Sequence, residues 1–109
     1  PVGSEGWCRR DGAKAEFDQS PVEAASAVEA LAIAWRVNES KPESKRYLEL
    51  AQQALEWYHG KNLKGATLYD PETGACSDGI SSEGLKSGKG AESTLSYLLA
   101  VTSPPFYTQ

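Results

Sequence analysis

The sequence predicts an all-α fold: a partial α/α toroid of about three helices, with a long loop carrying a small β-hairpin. Three observations lead there. Two segments open with Ser-x-x-Glu and continue with apolar residues at helical spacing; a third apolar run stops at consecutive prolines. Between the second and third, no helical period is found. The three helices also differ in how much of their circumference is apolar.

Ser20-Pro21-Val22-Glu23 is the first start signal. Ser20 supplies a cap, Pro21 suits the first turn, and Glu23 stands where a capping-box carboxylate reaches back. Helix one is therefore expected over residues 21–37. Ala24, Ala25, Ala27, Ala30, Ala32 and Ala34 leave few bulky groups, while Val28, Leu31, Ile33, Trp35 and Val37 are spread around the circumference. That distribution predicts burial on more than one side.

Ser40-Lys41-Pro42-Glu43 repeats the pattern, so helix two is expected over 43–59 with Gly60 in the C′ position. Tyr47, Leu48, Ala51, Ala54, Leu55 and Tyr58 recur at helical spacing, opposite Lys45, Arg46, Glu49, Gln52, Gln53 and Glu56. One face of this helix should meet water. Residues 61–89 then form the loop. Within it, Asp70-Pro71-Glu72-Thr73-Gly74 is a turn sequence flanked by Leu68-Tyr69 and Ala75-Cys76, which predicts a short hairpin. The stretch from Ser77 to Gly90 is rich in Gly and Ser. Helix three is expected over 91–103, ending where Pro104-Pro105 forbids continuation. Apart from Glu92 it is uncharged, which predicts burial on most sides. Residues 1–19 read as an irregular segment anchored by Trp7 and Phe17.

Buried, exposed and buried helices in succession are what an α/α barrel produces as its chain alternates between inner and outer rings. Helices one and three would be inner and helix two outer. Residues 1–19, the 61–89 loop and the N-termini of both inner helices then converge on one mouth, where helix dipoles favour anions and ligands bind.

Composition narrows the partners. A chain of 109 residues allows one domain or part of one. Its net charge of -4, from 15 acidic against 11 basic residues, lacks the basic footprint of a nucleic-acid binder. The longest apolar stretch, 24–37, includes Glu29 and Arg36 and falls short of the roughly 20 apolar residues of a membrane span. Neither nucleic acid nor membrane is an expected partner, and a cytoplasmic location follows. The first residue, Pro1, without a basic or apolar leader after it, suggests a truncated or processed start. Cys8 and Cys76 are too few for a disulfide framework, leaving one bridge or, more plainly, two reduced thiols. With His59 as the one histidine, no metal site and no cofactor are expected.

Several strings together carry a resemblance: Phe17-Asp18-Gln19, Pro21-Val22-Glu23-Ala24, Leu68-Tyr69-Asp70-Pro71-Glu72-Thr73-Gly74, Cys76, Asp78-Gly79 and Gly90-Ala91-Glu92-Ser93-Thr94-Leu95. In this order they resemble the C-terminal toroid region of bacterial glycosyltransferase-linked proteins, which is similar to six-hairpin glycosidase domains. The chain departs from that pattern at Lys86-Ser87-Gly88-Lys89, at Cys8 and at Thr67. The resemblance implies a carbohydrate context without a mechanism. Glycoside hydrolysis needs two carboxyl groups facing each other across a sugar, and Asp18 and Glu92 are the candidates by position. Gln19, Trp7, Tyr69 and Asp78 are the candidates for sugar contact, with Arg9, Arg10, Lys86 and Lys89 as cations for an acidic sugar. Each has a plainer reading: Asp18 and Glu92 as helix-end acids, Asp78 as a turn former, the aromatic rings as packing.

The expected function is thus a share in the sugar-binding funnel of a toroid, not catalysis by this chain alone. Upstream toroid hairpins, or self-association through exposed apolar faces, are the expected protein partners. The rival reading is a structural or protein-interaction module without catalysis.

Overall fold

The computed structural model describes residues 16–104 and residue 106. Trp7, Cys8, Arg9 and Arg10 lie outside the described residues. Three helices, α1 (Pro21–Val37), α2 (Ser44–Glu56) and α3 (Ala91–Val101), are joined by a loop holding two short antiparallel strands, β1 (Ile80–Ser81) and β2 (Gly84–Leu85). The chain is mostly helical, as its periodicity predicts.

Helix α1 has the bounds read from the sequence. Ser20 is extended and its Oγ accepts the Val22 N–H at 3.2 Å, while Pro21 occupies the first turn. The other half of the expected capping box is not made. One carboxylate oxygen of Glu23 is buried without a hydrogen-bond partner. Helix α2 is shorter than expected at both ends. Ser40 does not cap it; residues 38–43 instead form turns in which Lys41 N–H donates to Asn38 O and Ser44 N–H to Lys41 O. At the other end Trp57, Tyr58 and His59 leave the helix through tighter turns, and Gly60 takes a φ of 104°.

The expected hairpin is present in minimal form. Tyr69 and Cys76 form an antiparallel bridge across the Asp70–Gly74 turn, closed by Asp70 N–H to Ala75 O and Gly74 N–H to Asp70 O. The two-stranded sheet lies elsewhere, in the Gly and Ser rich stretch, with Ile80 opposite Leu85 and Ser81 opposite Gly84. On its other side Ile80 exchanges two backbone hydrogen bonds of 2.9 Å with Gln19. Gly79 permits this approach: its φ is 149°, and a Cβ there would run into the Gln19 carbonyl.

Ala24, Ala25 and Val28 of α1 form the centre of the core with Trp57 and Tyr58, the loop residues Leu68, Cys76 and Ile80, and Tyr97 and Ala100 of α3. Two hydrogen bonds pin the end of α2 to the start of α1: Trp57 Nε1–H to Gln19 Oε1 at 2.7 Å, and Tyr58 O–H to Pro21 O at 2.6 Å. The two helices therefore run antiparallel. The start of α3 is held to the same end through the loop, so α3 runs alongside α1 in the same direction.

Burial of the two expected inner helices is only partial. Helix α1 buries Pro21, Ala24, Ala25, Val28 and Ala32 but leaves Ile33 61% and Val37 76% exposed. Burial of α3 on most sides is corrected outright. Its inward face is Ser93, Ser96, Tyr97 and Ala100, while Leu95, Leu98 and Leu99 point outward. Small residues bring α3 close to its neighbours, Tyr97 fills the remaining space, and three helices cannot surround the opposite face. A toroid is not shown.

Candidate functional site

The feature that best gathers the candidate residues is the end where α1 and α3 both begin. Backbone pairing of Gln19 with Ile80 sets Asp18 beside the 76–90 loop, and Lys86 Nζ lies 3.5 Å from Asp18 Oδ2. Both side chains are about 40% exposed, so this surface pair contributes at most about 1 kcal/mol. Gln19 itself is buried, its side-chain amide oxygen accepting from the Trp57 indole N–H. That internal role limits how much of Gln19 a ligand could use.

Asp78 has a definite structural task. Its Oδ1 accepts from Gly90 N–H and Ser93 O–H, each at 2.7 Å, and its own N–H donates to Gly88 O. A carboxylate twelve residues upstream thus caps α3, whose own N-cap, Gly90, has no side chain to do so. The Gly90 N–H bond, then the Ser93 hydroxyl, holds the Asp78 carboxyl below its ordinary value. A Cβ on Gly88 would strike that carboxylate, so the Gly-Lys-Gly segment is shaped around it. Asp70 is also held low, chiefly by the Glu72 N–H, and lies 3.5 Å from Lys89 Nζ. Glu92 sits exposed in the first turn of α3, and its carboxylate makes no hydrogen bond or ion pair among the described residues.

Beside these acids lies an aromatic group. Tyr69 stacks on Tyr97 with ring centroids 4.2 Å apart and planes inclined by 12°, and Tyr97 Oη is 3.2 Å from His59 Nε2. Tyr97 meets Tyr58 edge-on at 5.1 Å. Burial raises the hydroxyl pKa of both Tyr58 and Tyr97, and pushes the Cys76 thiol up to about 11. Cys76 packs in the core with its thiol protonated at neutral pH. Tyr69 is half-buried, so one part of its ring remains for a ligand. The pairing of His59 with Tyr97 was not legible in the sequence, because the two stand 38 residues apart on different elements.

The structure thus brings Asp18, Asp78, Lys86 and the start of α3 to one end, with Glu92 in that helix's first turn. It does not enclose them. A groove of about 270 Å³ lies instead between α1 and α2, lined by Ala24, Ala27, Leu50, Gln53, Ala54, Trp57 and Lys61. None of the candidate carboxylates lines it. Among the described residues no group of three or more His, Cys, Asp or Glu side chains is arranged to hold a metal ion, and no helix is long and apolar enough to cross a membrane. Carboxylates at an open end can accept hydrogen bonds from hydroxyl groups.

Compared with family models, curated proteins and solved structures, the chain matches none of them.

Proposed function

We propose that the chain is the C-terminal part of a carbohydrate-active α/α toroid and forms one wall of a sugar-binding funnel in the cytoplasm, without catalysing a reaction alone. The observation that carries this reading is the convergence of both α1 and α3 N-termini, with Asp18, Asp78 and Lys86, on one end of the molecule. Helix N-termini favour negative charge there, and carboxylates at an open end, with a half-buried tyrosine on the adjoining loop, suit a polyhydroxylated ligand. Asp18 and Glu92 are the carboxylates that would meet sugar hydroxyls; Tyr69 would stack. Asp78 would act by shaping the loop, and Gln19 by holding it.

Titration of neutral and acidic oligosaccharides into the chain, followed by amide chemical shifts, tests the proposal. The expected result is saturable shifts at residues 18, 69 and 86–92, weakened about tenfold or more in Asp18→Asn or Tyr69→Ala. Absence of shifts with every glycan, both for the chain and for any longer polypeptide containing it, would sink the reading.

The exposed leucines of α3 favour a second reading, a helical interaction module without sugar chemistry. Binding of glycans with no change in oligomeric state would count against it.

A further inference from the structure

We infer that the outward face of α1 is a self-association surface on which a second copy of this chain packs antiparallel, about a two-fold axis near Ile33. The inference does not rest on the sugar reading, which concerns the N-terminal end of the same helix.

Helical spacing places Val22, Ser26, Ala30, Ile33 and Val37 in one stripe, and every one of them is exposed. The stripe contains no charge along the whole helix. Next to Ile33 the small residue Ala30 permits close approach of a second helix, with Ile33 and Val37 as the larger projections. Rows of this kind three and four residues apart are what a helix–helix contact uses.

Charge selects the occupant and its direction. Along the α3-facing edge of the stripe stand Glu29 and Arg36, seven residues or about 10 Å apart along the axis, and neither makes a salt bridge among the described residues. Both border a depression of about 150 Å³ with Ala32, Ile33, Ser103 and Pro104. In a two-fold contact the same patch meets itself. An antiparallel arrangement centred between 29 and 36 sets Glu29 of each copy against Arg36 of the other, twice, and Ile33 against the partner's α1 near the axis. A parallel arrangement would oppose like charges. The surface is complementary to its own inverted image, which is why a second copy is the occupant.

Sedimentation equilibrium across a micromolar concentration series tests this with the full chain. A reversible dimer is expected. Ile33→Glu, and independently Val37→Glu, should weaken it at least about tenfold, with helical circular dichroism unchanged because both positions are exposed. Glu29→Arg or Arg36→Glu alone should weaken it several-fold, and the double reversal should recover affinity to within about threefold of the parent. A monomer at every concentration would overturn the inference, as would a dimer indifferent to Ile33→Glu and Val37→Glu. Failure of the double reversal to recover affinity would overturn the antiparallel pairing. None of these outcomes bears on glycan shifts at residues 18 and 69, so the two proposals fail separately.

Discussion

Two places in this chain carry the same start signal, Ser-x-x-Glu with a proline inside it, and only one becomes a capped helix end. At Ser20 the cap forms and α1 begins at the next residue; at Ser40 it does not, and α2 begins only at Ser44. The proline's position explains the difference. A residue preceding proline is pushed away from the helical region. In Ser20-Pro21 that residue is the cap itself, which is required to be extended, and Ser20 has φ -121° and ψ 139°. In Lys41-Pro42 it is the residue that would have to be the first of the helix. Tertiary contacts add to the contrast, because Gln19 and Pro21 receive hydrogen bonds from Trp57 and Tyr58 while residues 38–43 are mostly exposed. Helix α3 starts in a third way, on a carboxylate borrowed from Asp78.

Substitutions can break this contrast in graded steps. Trp57→Ala should have the largest effect, about 3–5 kcal/mol by urea unfolding, since it empties a core position and releases Gln19. Tyr58→Phe should cost about 0.5–1.5 kcal/mol by removing the hydroxyl's hydrogen bond to the Pro21 carbonyl, which keeps its bond within the helix. Ser20→Ala should cost about 1 kcal/mol, the ordinary loss of a cap. Ser40→Ala should stay within about 0.5 kcal/mol of the parent, because its side chain makes no cap bond. Equal losses at Ser20 and Ser40 would remove the explanation by proline position. Pro42→Ala sharpens it from the other side: freed of the restriction, Ser40 should become a cap, seen as added helical ellipticity that a further Ser40→Ala change removes.

Acid distinguishes the start of α3. The carboxyl of Asp78 is held below its ordinary value of 3.8 in the folded chain, so its stabilising contribution is present above that value and is lost as pH falls through the lower folded value. The stability gap between the parent and Asp78→Asn should therefore be constant from pH 5 to 7 and close in stronger acid. A gap that persists unchanged at pH 2 would show that the carboxylate charge is not what holds the cap.

How much of this could be read in advance differs by element. Local signals were sufficient for α1 and for the turn at Asp70–Gly74, because proline, glycine and capping residues act on their immediate neighbours, but they set the end of α3 two residues late, at 103 against Val101. The same locality misled at Ser40. It also could not find the strand pair at Ile80 and Leu85, whose apolar partners are few and whose pairing is completed by Gln19, 61 residues earlier. For the site, sequence position alone suggested that residues 18, 78 and 92 share an end. That Asp78 is a cap, that Gln19 is committed to Trp57 and that Tyr69 lies flat on Tyr97 were decided by packing.

The sequence by itself therefore determined that there are three helices and where α1 begins and ends, since backbone preferences and short-range caps do not depend on what lies across the core. Tertiary structure decided which faces of those helices are covered. An uncharged helix can be buried or open with equal local merit, and only the number and size of the neighbours available to pack against it set which side meets water.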